Sequence, residues 1–259
     1  MEFQCQTQAI KNLKQIVEAG RHSILVSGCA GSGKTYVVKE WAKMLNINDV
    51  ALVNPSVSEL KTVIDTLLDN RAPAVLCIEN LDEGVIQAAN PLLKFIEECP
   101  NYLYVAVTCT NIRSIPDTIL SRCILIDVAM PTSKDLEAFA TSISFEKFHF
   151  IEDKIIWKCA KSFSDVKIIL DLDSNKLAYF ESLSTMLEFK DNVSSISWKL
   201  QHYPDNSEAP VTIVIRYLMK LLKANQIKPC IDCLDDLQNS HISSNAVICK
   251  LIFDLKYTE

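Results

Sequence analysis

The chain has 259 residues, 49% of them apolar, and a formal net charge of −6. That length exceeds the roughly 100 to 200 residues of an ordinary domain, so two or three packed domains are expected, with ample material for a core. The acidic balance argues against non-specific nucleic-acid binding by the whole surface, though not against a local basic patch.

Five glycines and nine prolines leave little room for long linkers. The ten cysteines are scattered singly, as reduced thiols used as small apolar residues are, rather than spaced as a disulfide framework. The lone C-x-x-C, Cys230-Ile231-Asp232-Cys233, has neither a second pair nor nearby histidines, which argues against zinc. No apolar run approaches about 18 residues and no charged-then-apolar leader opens the chain, so a cytoplasmic protein without membrane contact is expected.

The first element with chemistry begins at His22-Ser23-Ile24-Leu25-Val26-Ser27, which reads as a buried strand. It runs into Gly28-Cys29-Ala30-Gly31-Ser32-Gly33-Lys34-Thr35, a complete G-x-x-x-x-G-K-[ST] phosphate-binding loop. Residues 36–45 follow as a helix, with Val37, Val38, Trp41 and Leu45 close to one face. Polyphosphate needs backbone amides turned inward around a tight curve, which glycines allow because they lack a Cβ. The helix start adds unpaired N–H groups and the positive end of its dipole. Lys34 then reaches the β- and γ-phosphates of ATP, and the Thr35 hydroxyl ligates Mg2+. Cys29 stands at a variable position of the loop and reads as filler, since a redox role would require a lowered thiol pKa.

Further along, residues 49–54 read as a strand, and Ser56-Val57-Ser58-Glu59 as a capping box opening a helix to about Asp69. Residues 74–78 form an apolar strand ending at Glu79, followed by a helix over 85–98, then strands at 102–107 and 124–128. Strands alternating with helices imply an α/β fold with a parallel sheet covered on both faces. Ligands of such sheets lie beyond the carboxyl ends of the strands, where Gly28, Glu79 and residues 108–111 all fall. Glu79 is a candidate to hold Mg2+ through water opposite Thr35, or is a strand-end carboxylate in solvent. Asn111 is a candidate to touch the γ-phosphate or orient an attacking water, or is a polar loop residue. Asp82 and Glu83 read equally as the acidic start of the next helix.

Four segments now carry a resemblance. Ile78-Glu79-Asn80-Leu81-Asp82, followed by Gln87-Ala88-Ala89-Asn90-Pro91-Leu92-Leu93-Lys94-Phe95-Ile96-Glu97-Glu98-Cys99-Pro100, resembles the hallmark segment of AAA+ clamp-loader subunits, in particular the bacterial DNA polymerase III delta-prime type. Thr108-Cys109-Thr110-Asn111 resembles that family's sensor 1, with Asn111 as the sensing residue, and Ser121-Arg122-Cys123 its Ser-Arg-Cys element. The resemblance is strong over about 28–127, moderate over the next fifty residues and architectural beyond.

It implies an ATP- and Mg2+-binding member of a hetero-oligomeric ring whose partners are other clamp-loader subunits, a sliding clamp and primer–template DNA. It also implies that Arg122 acts in trans on ATP held by a neighbouring subunit. Efficient AAA+ ATPases end the third strand in Asp-Glu, whereas the aligned pair here is Glu79-Asn80. Asparagine cannot accept a proton as a general base, a loss of about 10² to 10⁴ in rate, unless Asp82, Glu83 or a partner supplies one. The four-cysteine module that often follows the loop helix in delta-prime proteins is missing between Thr35 and Asn54.

Past Met130-Pro131 the signals become helical. Thr132 with Asp135 caps a helix to about Ala140, and further helices fit 153–161 and 164–170, giving a small lid. Ser164-Asp165-Val166-Lys167 occupies the place of the family's sensor 2, with Lys167 where an arginine is usual. Residues from about 174 onward, with Val211, Val214, Ile215, Leu218 and Leu222 or Val247, Ile248, Leu251, Ile252 and Leu255 on single faces, suggest a collar-like helical bundle. The expected domains are a P-loop domain over 1–131, a helical lid over 132–173 and a C-terminal bundle over 174–259. The competing expectations are a helicase loader or other ATP-driven remodeller, a small-molecule kinase, and a ring subunit without nucleotide.

Overall fold

In the computed structural model the described residues are 3–84 and 89–178, with positions 232 and 250. They fall into two compact units, Met1–Asp135 and Leu136–Glu259. The first unit opens with helix α1 (Thr7–Glu18), which the sequence reading did not anticipate. There follow β1 (Ser23–Ser27), α2 (Lys34–Met44), β2 (Val50–Val53), α3 (Val57–Asn70) and β3 (Ala74–Ile78). A single turn at Leu81–Glu83 leads to α4 (Ala89–Glu98), β4 (Leu103–Cys109), the short α5 (Asp117–Leu120) and β5 (Ile124–Asp127).

The five strands make one parallel sheet in the order β2-β3-β4-β1-β5. Side chains alternate across it as the strand repeat demands. Ile24, Val26, Val75, Cys77, Ala106 and Ile126 face Leu13, Ile16, Val37, Val38 and Trp41 of α1 and α2. Leu25, Leu76, Ile78, Val105 and Val107 face Leu60, Ile64, Leu67, Leu92 and Phe95 of α3 and α4. Because both faces are covered, β3 is buried along its whole length, which is why it reads as an unbroken apolar run.

Several expectations change in detail. Ser56 does precede α3, but its hydroxyl meets Ser58 Oγ at 3.1 Å and caps no backbone N–H, so the anticipated capping box does not form. The fourth strand extends to Cys109, which places Thr108 inside the sheet, almost fully buried, instead of beyond the strand end. The expected helix over 85–98 is seen from Ala89 onward, residues 85–88 lying outside the described ones.

Helix α6 (Ser133–Ile143) runs from the first unit into the second, and its start does carry a reciprocal cap. Thr132 Oγ1 accepts from Asp135 N at 3.2 Å, and Asp135 Oδ2 accepts from Thr132 N at 2.9 Å. The other carboxylate oxygen accepts from Gln4 N at 2.7 Å, so one buried carboxylate ties the chain's beginning to the exit from the sheet. Burial pushes the Asp135 carboxyl up, yet the hydrogen bonds from Thr132, Gln4 and Cys5 hold it, on balance, below its ordinary value. A depressed carboxyl contributes stability that is complete above its unfolded value near pH 4 and is lost as pH falls through the folded value. Asp135→Ala is therefore expected to destabilise the fold by about 2 kcal/mol at neutral pH and to flatten the acid limb of a urea-denaturation series.

The described part of the second unit holds α7 (Phe145–Ile151), α8 (Ile155–Cys159) and α9 (Phe163–Asp171). The helix at 145–151 was not anticipated, while α8 and α9 fall within the expected segments or one residue beyond. Ser162 and Asp165 form a full capping box at α9, and the Phe148 and Trp157 rings meet edge to face at 5.0 Å. The expected C-terminal bundle and the Cys230–Cys233 pair lie outside the described residues, apart from the first residues of the bundle. None of the described helices is long and apolar enough to cross a membrane.

Candidate nucleotide site

The site is built at the carboxyl edge of the sheet. β1 lies between β4 and β5, and its continuation is the phosphate-binding loop. Gly28 N donates to Cys109 O at 3.2 Å, which anchors the loop to the end of β4. A Cβ on Gly28 would stand 2.8 Å from both Ser32 Oγ and Val128 O, so only glycine fits. Gly33 caps α2 with φ of 96°, a left-handed conformation that side chains resist. Its placement turns the first-turn amides of α2, which have no intrahelical acceptors, into the loop.

Lys34 is buried, and its Nζ donates to Gly28 O at 2.8 Å, to Cys29 O at 3.3 Å and to Thr110 Oγ1 at 3.3 Å. The ammonium thus already sits inside the loop where a phosphate would meet it. Thr35 Oγ1 donates to Glu79 Oε1 at 2.6 Å, joining the start of α2 to the end of β3 across the intervening strand. One hydroxyl and one carboxylate in contact form a hard oxygen donor pair suited to Mg2+, which keeps several waters and takes few protein ligands. Among the described residues no set of three or more His, Cys, Asp or Glu side chains could hold a metal by themselves. Ser32 Oγ is buried without a hydrogen-bond partner among the described residues.

Beyond β3 the chain turns at Asn80, whose φ of 48° and ψ of 54° are left-handed. Asparagine tolerates that conformation better than other residues with a Cβ, which gives Asn80 a conformational reason that the sequence comparison could not show. Its N–H donates to Thr108 Oγ1 at 3.0 Å. The turn that follows presents Asp82, whose carboxylate accepts from Thr110 N at 3.0 Å and from Asn111 N at 2.7 Å.

Asn111 is exposed, and its side-chain oxygen accepts from Arg113 N at 3.1 Å. Of the four residues 108–111, it is Thr110 whose side chain contacts Lys34. Sequence reasoning gave Thr110 no role of its own, and weighed Asp82 only as a helix start or a substitute base. The only signal for Thr110 is its position one residue past the strand end, and Asp82 has none short of the contact itself.

Arg122 lies elsewhere. It precedes β5, and in the parallel register Ile124 pairs with Ile24, so Arg122 stands at the amino edge of the sheet, opposite the loop. It lines a polar cleft of about 380 Å³ together with Arg21, His22, Ser23 and Ser121. Two of its N–H groups converge on Glu97 Oε1 of α4, at 2.8 Å from Nε and 2.5 Å from Nη2, while Nη1 donates to Thr118 O at 2.9 Å. Lys167 is exposed on α9, in the second unit.

Comparisons with known proteins converge on one family. The DNA polymerase III delta subunit family model matches residues 56–132. The sliding-clamp-loader large subunit of Escherichia phage RB69 is 29% identical over 48% of this chain and 42% of its own length. DNA polymerase III subunit tau of Bacillus subtilis is 31% identical over 44% of this chain and 25% of its own length. The chain thus spans less than half the length of these relatives.

Among solved structures, a DNA polymerase III gamma-subunit-related protein from Thermotoga maritima aligns with a TM-score of 0.59 at 16% identity, covering 97% of this chain and 100% of that one. A mutant of the RuvB protein of the same organism aligns at 0.51 and 13% identity, over 95% and 80%. Both share the fold of this chain. With its loop, strand order and matched segments together, the chain is similar to clamp-loader subunits of the DNA polymerase III delta, gamma and tau family.

Proposed function

We propose that this chain is an ATP-binding subunit of a DNA-replication clamp loader that helps place a sliding clamp on primed DNA and lends Arg122 to a neighbouring subunit. The observation that carries the reading is the separation of two phosphate-directed elements on one parallel sheet. The loop follows the carboxyl end of β1, whereas Arg122 precedes the amino end of the adjacent β5. At about 3.3 Å per residue the two edges stand about 20 Å apart along the strands, farther than an arginine reaches. One nucleotide cannot engage both, but a ring of like subunits brings the amino edge of one to the loop of the next.

Within the chain's own site, Lys34 would hold the β- and γ-phosphates as a point charge, Thr35 would ligate Mg2+ and Glu79 would hold the metal through water. The metal, when bound with ATP, neutralises charge across the phosphate oxygens. Thr110, and Asn111 beside it, face the terminal phosphate from β4. Asn80 has no basic oxygen able to take a proton, and Asp82 is engaged by backbone amides, so hydrolysis by the isolated chain is slow or absent. The segment 132–173 is proposed as the lid, with Lys167 where the family's sensor 2 falls in sequence, and 174–259 as the collar.

ATP binding and turnover of the purified chain test this reading, first alone and then with candidate partner subunits, a sliding clamp and primed DNA. Tight ATP binding together with turnover of the mixture that rises with clamp and primed DNA is the expected result. Binding without any response to the clamp, but with stimulation by a replicative helicase, would overturn it in favour of a helicase loader.

A further inference from the structure

Asp82 is neither a ligand of the proposed metal nor free to act as a base, yet its carboxylate accepts from two backbone amides beside the loop. Oδ1 accepts from Thr110 N at 3.1 Å, and Oδ2 accepts from Thr110 N at 3.0 Å and from Asn111 N at 2.7 Å. Charge-assisted bonds to backbone amides are among the stronger hydrogen bonds in proteins. They cross 28 residues of sequence and join the turn after β3 to the segment after β4. A second strut runs parallel to them, from Asn80 N to Thr108 Oγ1 at 3.0 Å.

The consequence is geometric. With its N–H held by Asp82, Thr110 presents Oγ1 to Lys34 Nζ, and Lys34 in turn lies on the carbonyls of Gly28 and Cys29. Glu79, three residues before Asp82, touches Thr35. The turn at 79–82 therefore grips the loop at two points, directly through Glu79 and indirectly through Asp82 and Thr110.

We propose that Asp82 is a positioning residue that fixes the Thr110–Asn111 turn against Lys34, so that the site distinguishes a nucleoside triphosphate from a diphosphate. The inference rests on the nucleotide-binding reading above. In a diphosphate the terminal group that Thr110 and Lys34 would share is missing, so a misplaced Thr110 weakens the triphosphate alone.

The test is calorimetric affinity for ATP and for ADP in the wild-type chain, Asp82→Ala, Asp82→Asn and Lys34→Ala. Asp82→Ala is expected to lower ATP affinity about tenfold while leaving ADP affinity within about twofold. Asp82→Asn keeps one acceptor oxygen for Asn111 N and should fall between, and it carries the test alone if the alanine variant does not fold. Equal losses for both nucleotides, no change in either, or a wild-type chain that binds ATP and ADP equally would each overturn the proposal. A normal ATP-to-ADP ratio in Asp82→Asn, with turnover of the assembled ring lost, would make Asp82 the base instead and overturn it too. Failure of the wild-type chain to bind either nucleotide, with Lys34→Ala indistinguishable from it, would remove the nucleotide-binding reading itself and this inference with it.

Discussion

Lys34→Ala is expected to reduce ATP affinity by at least about 100-fold, a loss of about 3 kcal/mol, as read by calorimetry on the purified chain. Among the described residues the ammonium is the positive charge placed inside the loop, 2.8 Å from Gly28 O and buried. In a setting largely shielded from water, removing it takes away both the charge and its donated hydrogen bonds, while the phosphate stays an anion among backbone dipoles. The fold should survive, because Lys34 donates to loop carbonyls and to Thr110 and contributes nothing to the apolar clusters on either sheet face. Unchanged circular dichroism with lost binding is the expected pair of results. Retained ATP affinity would mean that nucleotide sits somewhere other than this loop.

Arg122→Ala is expected to act elsewhere and only in company. The isolated variant should bind ATP as the wild type does, since Arg122 stands at the sheet edge away from the loop. In the assembled ring, turnover at the neighbouring site should fall by about 10³ to 10⁵, or roughly 4 to 7 kcal/mol of barrier. The loss would follow from withdrawing a guanidinium from charge that develops on the transferring phosphoryl group. The arginine is already oriented by Glu97 and by Thr118 O, and both side chains of the ion pair are substantially exposed, so losing it should cost the fold little. An assembly whose turnover is untouched by the substitution would rule out the trans role.

Much of the candidate nucleotide site was legible because its chemistry is local. The spacing from Gly28 to Thr35 dictates a tight curve followed by a helix start, and the apolar run at 74–78 could only be a strand buried on both faces. The contacts that organise the site are not local and left little trace in the chain. Asp82 reads as an acidic helix start until the fold brings Thr110 and Asn111 to it. Asn80 reads as a lost catalytic acid until its left-handed backbone is seen. Asn111 reads as the sensing residue; in the structure its side-chain oxygen accepts from Arg113 N, and Thr110 makes the contact with Lys34. The Ser56 cap failed for the same reason in reverse, since a motif of suitable residues competes with other local partners, here Ser58.

By itself, then, the sequence determined the alternation of strands and helices, the phosphate-binding loop and the family resemblance, because these depend on periodicity and short-range backbone geometry. The tertiary structure alone decided the strand order that sets β4 between β1 and β3 and lets Thr35 meet Glu79 across it. It alone set Arg122 at the far edge of the sheet on the carboxylate of Glu97. Such pairings join residues tens of positions apart, and their energies depend on how strands and helices pack, which no single stretch of chain encodes.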